Sequence, residues 1–317
     1  MAPLGVLTAV VSVIRVCGTP TLRAFIGRAQ EGSGIAEAEL CSSTSRDVCE
    51  MYKNGAITRV FGRPKILEFV QDTDEANFYD SRGLGTASAG LYTFPEYLKT
   101  IHGREKWKEI QKSRSPASEE EPFAPYPNLM LNIGFKQSTP TELRLIALFS
   151  VMLQVSVIAY AVICDKYLKL TKEGQLPPSW GLPLMVVGTI FLCTGMGFSS
   201  YLIETSSTER NFQRLRKGGS IVHWVQPGGQ VVGDHTFDSW AYNDSYDPIR
   251  RFVSSRRKVN KQKESALTWA AASGTVIGFI LQFVGLRTVH SSVSVYQLSA
   301  VLLMSAGRAM LRRRRSD

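Results

Sequence analysis

The chain has 317 residues, 44% of them apolar and 20% charged, and a formal net charge of +10. That length holds two or three modest domains, and the charge taken alone would suit nucleic acid. Its distribution argues against that partner: the densest basic runs, Arg250–Lys263 and Arg308–Arg315, sit beside apolar blocks, where an anionic membrane surface fits better. Cys164 and Cys193 lie inside apolar blocks, and Cys17, Cys41 and Cys49 are scattered without a CxxC pair or histidines at ligand spacing. Neither a disulfide framework nor a zinc site is expected, and no cofactor.

In chain order, residues 1–19 contain a short apolar segment, Leu4–Val16, interrupted by Arg15. It lacks the flanks of a signal peptide, and reads as an interfacial helix or as the end of a span. Residues 20–112 read as a folded α+β region. Arg46–Lys53 suits a helix closing at Asn54-Gly55. Ile57–Phe61 and Ile66–Val70 suit strands around Gly62-Arg63-Pro64, and Tyr97–Lys112 suits a basic amphipathic helix. Residues 113–144 form a linker rich in Ser, Pro and Glu, with Ser115-Pro116 as a phosphorylation dipeptide.

Two helical hairpins are expected next, over 145–203 (spans 145–164 and 181–203) and 265–307 (spans 267–286 and 289–307). Twenty residues of helix rise about 30 Å, the thickness of a bilayer's hydrocarbon core. Pro177 and Pro178 break the first hairpin, and Arg287-Thr288 make the second one tight. His290 beside that turn reads as an interfacial side chain rather than a proton relay. In the third span Ala270, Gly274, Gly278 and Gln282 recur every four residues and share one helix face. Gly274-x-x-x-Gly278 is the small-xxx-small pattern of close helix packing in lipid. The expected partner is the fourth span, with Ser292, Ser299, Ala300 and Gln297, or the same face of a second copy. Gln282 and Gln297 are expected to hydrogen-bond across this hairpin.

The connection 204–264 carries eleven Lys and Arg. With the basic tail 308–317 it belongs in the cytoplasm by the positive-inside bias, together with the N-terminal region. Arg250, Arg251, Arg256, Arg257 and Lys258 are candidate contacts to anionic lipid headgroups. Within the connection, two β-rich runs around Pro227-Gly228-Gly229 predict a β-hairpin over 221–242. Its aromatic surface of Trp224, Phe237, Trp240 and Tyr242 must pack on something, either residues 20–112 or the membrane interface.

The stretch from Trp224 through Gln226, Gly228-Gly229-Gln230, Val232-Gly233-Asp234 and Phe237-Asp238-Ser239 to Ala241-Tyr242 resembles a signature, W-x-Q-x-G-G-Q-x-V-G-D-x-x-F-D-S-x-A-Y, of filamentous-fungal multi-pass membrane proteins. The opening Ala2-Pro3-Leu4-Gly5 through Ala29-Gln30-Glu31-Gly32 resembles the same group, as do Ser45-Arg46-Asp47-Val48-Cys49-Glu50 and Phe61-Gly62-Arg63-Pro64-Lys65-Ile66-Leu67-Glu68. Some longer members of that group carry ankyrin repeats; no 33-residue repeat occurs here. The resemblance implies a fungal source and a membrane location, and it implies no activity.

Asp234, His235 and Asp238 match no standard metal spacing and suit turn chemistry. Gly83-Leu84-Gly85 followed by Gly90 is neither a dinucleotide fingerprint nor a P-loop. The spans hold Gln154, Gln282 and Gln297 but no Asp, Glu, Lys or Arg, so ionisable transport groups are missing. The sequence therefore predicts an α-helical polytopic membrane protein of about four spans with a mixed α+β cytoplasmic portion. The expected role is a membrane-anchored interaction or signalling platform, with the lipid bilayer, anionic headgroups and a cytosolic protein or second copy as partners. A small transporter or channel component is the alternative, and catalysis is not expected.

Overall fold

The computed structural model describes residues 3–73, 90–111, 122–134, 140–172, 174, 176–215, 219–258 and 264–313. The Ser115-Pro116 part of the linker, Gly83–Gly85, Lys261, Lys263, Arg314 and Arg315 lie outside them. The elements are α1 (Pro3–Cys17), α2 (Pro20–Phe25), α3 (Ser33–Leu40), β1 (Val48–Lys53), β2 (Ala56–Phe61), β3 (Leu67–Asp72), β4 (Leu91–Tyr92), α4 (Phe94–Tyr97), α5 (Ile101–Lys106) and β5 (Trp107–Gln111). Then follow α6 (Pro140–Val162), α7 (Gly181–Thr205), β6 (Ser207–Arg214), β7 (Ser220–Gln226), β8 (Gln230–Val232), β9 (His235–Phe237), β10 (Trp240–Asn243), β11 (Arg251–Arg257), α8 (Glu264–Thr288) and α9 (Ser291–Arg313). They form two compact units: a helical one of Met1–Gln30, Phe135–Glu204 and Asn260–Asp317, and an α+β one of Glu31–Gly134 and Thr205–Val259.

Among the described residues, three helices of the first unit are long and apolar enough to cross a membrane: Thr141–Tyr167, Gly181–Thr205 and Ser265–Thr288. The first includes a π-helical turn, Ile163–Tyr167, that continues α6. Their outer faces are apolar; on α6, Leu145, Leu148, Phe149 and Met152 are 51–61% exposed. The fourth expected span forms a helix, α9, but it does not meet the same hydropathy, because it carries Ser292, Ser294, Tyr296, Gln297 and Ser299. Several of these polar groups face α6: the Gln297 and Gln154 amides are 3.5 Å apart, and the Tyr296 and Ser156 hydroxyls 3.1 Å. The short apolar α1 packs along α8, with Val13, Ile14 and Val16 buried and the Cys17 thiol donating to the Leu202 carbonyl.

The close helix contact in this unit joins α7 to α8, where the sequence pattern had suggested α8 to α9. A Cβ on Gly188 would fall on the Gln282 backbone, one on Gly195 on Thr275, one on Gly278 on Leu192 and one on Gly285 on Met185. Gly181, Gly188 and Gly195 on α7, and Ala271, Gly278 and Gly285 on α8, recur every seven residues, so each helix presents one backbone-lined stripe to the other. Gly274 is not part of it, since a Cβ there meets nothing within 4 Å. Gln282 also serves this seam. Its amide nitrogen donates to the Thr189 hydroxyl (2.9 Å) on α7, while Gln297 turns to α6 instead of reaching across the tight hairpin.

The α+β unit interleaves its two segments. One sheet has the order β10-β7-β3-β4 and another β11-β6-β5, all antiparallel, so residues 205–259 supply strands to both. Phe94 sits in the shared core, stacked on Phe252 at 3.7 Å and edge-on to Trp107 and Phe212. Val70, Val222 and Trp224 from the first sheet are fully buried with it. The outer edge of β11 is covered by side chains that imitate a strand: the Asn132 amide exchanges hydrogen bonds with Val253, and the Asn128 amide with Ser255.

Of two helices expected from sequence, one is a strand and the other is broken. Val48–Lys53 pairs with Ala56–Phe61, and Asn54 and Gly55 make the two-residue turn with φ of 51° and 85°, the left-handed pair a type I′ hairpin needs. The helix expected over Tyr97–Lys112 breaks into α4, α5 and β5. Gly103 approaches the Tyr97 carbonyl so closely that no side chain fits, Thr100 caps the new start at the Gly103 amide (3.0 Å), and Trp107 leaves to pair with β6.

Candidate interaction cleft

Three sequence-distant motif segments meet in the α+β unit. Asp47, just before β1, accepts the Gly62 amide on its carbonyl (2.8 Å), and its carboxylate receives the Arg63 guanidinium at 2.7 and 3.0 Å. Gln230 at the head of β8 clamps the same loop: its Oε1 accepts the Lys65 amide (2.5 Å), and its Nε2 donates to the carbonyls of Lys65 (2.8 Å) and Pro227 (2.7 Å). Gly62 lies against Val232, where a Cβ would approach to 2.6 Å. Gln226, 1% exposed, does the same for β1: it accepts from the Tyr52 amide and donates to the carbonyls of Tyr52 and Asp238.

The predicted 221–242 hairpin is therefore more elaborate than two runs around one turn. β7 pairs with β10, the segment between them makes its own small hairpin, β8–β9, and β7 also pairs with β3 along its whole length. Gly233 turns β8–β9 at φ 58°. Phe237 on β9 is fully buried with Cys49, Met51 and Val60. Of the four signature aromatics, Trp224 and Phe237 are core residues. Trp240 stacks between Tyr52 and Tyr242 at 4.8 and 6.2 Å. The aromatic surface thus packs on Cys49, Met51, Tyr52 and Val60, within residues 20–112, one of the two partners expected for it.

Between the Phe61–Lys65 loop and the Gln230–Gly233 strand lies an open cleft of about 550 Å³. Its nine lining residues include Arg63 and Lys65 and no acidic side chain. Phe61 lines one wall and Val231 the other, 52% and 70% exposed. Lys65 makes no ion pair among the described residues. Asp234 and His235 follow the lining strand; His235 meets Phe237 edge-on. Among the described residues, no three His, Cys, Asp or Glu side chains gather as metal ligands.

The basic run 250–258 mostly forms strand β11, with Phe252 and Val253 in the core and Ser254 and Ser255 buried. Arg251 bonds Asn211 (2.9 Å) and pairs with Glu209 (3.8 Å), and Arg257 pairs with Glu37 (3.6 Å). Arg250 and Lys258 are exposed and Arg256 is half-buried.

Glu68 faces Trp224 across the β3–β7 pair, and the indole N–H donates to its carboxylate at 2.6 Å. Burial pushes its pKa up to about 7, and that hydrogen bond offsets the rise only in part. Because the folded value exceeds the ordinary carboxylate value, the folded state holds this proton more tightly. Its contribution to stability is complete below about pH 4.5 and is lost as pH rises towards 7. Glu68→Gln should therefore be more stable than the parent at pH 8, by on the order of 2 kcal/mol, and similar to it near pH 5. Denaturation curves at both pH values check this, and parallel pH dependence in the two proteins would refute it.

Sequence reasoning did not single out Asp47, Arg63, Lys65, Gln226 or Gln230 as a set. Only the motif resemblance drew attention to their segments, because no local periodicity relates residues 45–65 to 224–242. Comparison of the chain with protein-family models, with curated proteins and with solved structures finds no match.

Proposed function

We propose that this chain is a membrane-anchored docking platform: a small helical bundle in the bilayer that holds the α+β unit at one membrane face. The observation that carries the reading is the interleaved sheet. β3 precedes α6 and α7, and β7 follows them, yet the two strands hydrogen-bond along their length. Both flanking segments must therefore lie on the same side of a membrane, and the chain between them must cross an even number of times. Two apolar helices, Thr141–Tyr167 and Gly181–Thr205, occupy that interval.

A fourth crossing rests on a separate observation, the pairing of α9 with α6. α8 crosses, and α9 returns with Gln297 and Tyr296 turned to Gln154 and Ser156 of α6, so these two polar groups are paired within the bundle and not exposed to lipid. The basic residues then put the α+β unit in the cytoplasm. Arg250, Arg256 and Lys258 remain available to anionic headgroups, whereas Arg251 and Arg257 are engaged within the unit.

Two measurements test this. A glycosylation acceptor inserted between Lys169 and Gln175 should be used, and one inserted after Lys258 should not; the opposite pattern would overturn the orientation. Crosslinking in intact membranes should attach cytosolic proteins to residues 31–134 or 205–259. Absence of such products, together with solute flux in proteoliposomes, would replace the platform by a transporter.

A further inference from the structure

We infer that the cleft between Phe61–Lys65 and Gln230–Gly233 binds an acidic peptide segment that carries an apolar anchor residue. The inference rests on the platform reading and assigns its docking site. Charge is the first argument. The lining holds two cations and no carboxylate. Asp47 engages only Nε and Nη2 of Arg63 on one carboxylate oxygen, and a guanidinium has five N–H donors, so three are free for an incoming carboxylate. Lys65 brings a second, unengaged cation on the same loop.

Shape is the second argument. About 550 Å³ lies within the range of ligand clefts and takes two or three side chains. Phe61 and Val231, one on each wall of the cleft, leave most of their apolar surface in solvent, an arrangement that rewards an apolar side chain next to acidic ones. Rigidity is the third. The walls are joined by the Gln230 amide at Lys65 and by the contact of Gly62 with Val232, so little ordering opposes binding. A concave site of this kind fits a peptide better than a flat headgroup layer.

The experiment uses the full chain in phosphatidylcholine nanodiscs and a random dodecapeptide display library. Selected peptides should be enriched in Asp and Glu around Leu, Phe or Trp. The affinity of a selected peptide should fall by about tenfold with Lys65→Glu and again with Val231→Asp, both at exposed positions, with thermal unfolding of each variant checked against the parent. Several results overturn the inference: no enrichment, enrichment without acidic bias, equal binding by Lys65→Glu, or Lys65-dependent capture of phosphatidylserine vesicles in place of peptide. If the cleft fails while crosslinked partners on the α+β unit persist, the platform stands and docks elsewhere. If those partners are also absent, the platform itself falls.

Discussion

Asp244→Ala should unfold the α+β unit at physiological temperature or bring it close to that point. The Asp244 side chain is fully buried and does three things at once: it accepts the Val222 amide (2.7 Å), accepts the Ile249 amide (3.2 Å) and pairs with Arg214 at 2.5 Å. Arg214 is 4% exposed and lies over the Trp107 ring. Removing the carboxylate strands a buried guanidinium and two backbone donors, a loss of about 3–5 kcal/mol. Arg214→Leu combined with Asp244→Ala should recover part of it, because the uncompensated charge is then gone. The exposed pair of Arg63 and Asp47, 55% and 47% accessible, is the contrast; Asp47→Ala should cost less than about 1 kcal/mol through that pair. Intrinsic tryptophan fluorescence during denaturation reads all three. An Asp244→Ala loss no larger than the Asp47→Ala loss would show that the buried pair does not hold the sheets together.

The second large effect belongs to the helical unit. Gly278→Ile should destabilise it strongly, by about 3 kcal/mol, because the new side chain overlaps the Leu192 backbone. Gly274→Ile, one turn away on the same helix, should be close to neutral, since nothing lies within 4 Å of its Cβ position. Gly188→Ala and Gly285→Ala should behave like Gly278→Ile, to a smaller degree. Thermal unfolding of the detergent-solubilised chain separates the cases. Equal losses at positions 274 and 278 would mean that the seam runs along the four-residue pattern after all.

That pair of glycines shows how much the sequence could and could not say. Three uncharged blocks of membrane length were visible because span hydropathy is a local property of twenty or so residues. Which face of α8 meets which helix is not local. Gly274 and Gly278 suggested a four-residue seam, but α7 carries its own seven-residue glycine repeat, and the two repeats find each other. At α9 the polar residues have mixed partners: Tyr296 and Gln297 bond to α6, whereas the Ser294 hydroxyl donates to the Leu286 carbonyl of α8 and the Ser299 hydroxyl to the Val295 carbonyl of its own helix. In the α+β unit, Asn54-Gly55 is among the strongest short hairpin signals, yet the preceding charged residues made a helix stop equally readable. The contribution of β7 to a sheet with β3 had no local trace at all. The cleft was half legible: its three segments were marked as motifs, while their convergence depends on long-range strand pairing and two glutamine side chains.

The interleaving of the α+β unit also dictates a sequence of events during translation. β3 leaves the ribosome long before β7; its sheet stays incomplete until β10 has been made, and the other until β11. At ~5–20 residues per second the nascent N-terminal half waits on the order of ten seconds or more while α6 and α7 are delivered to the membrane. Throughout that interval β3 offers an unpaired edge, and the Phe94 core lacks its stacking partner Phe252. Completion of the α+β unit is thus tied to the synthesis of the chain on the far side of α6 and α7, and until then β3 keeps one backbone edge unpaired.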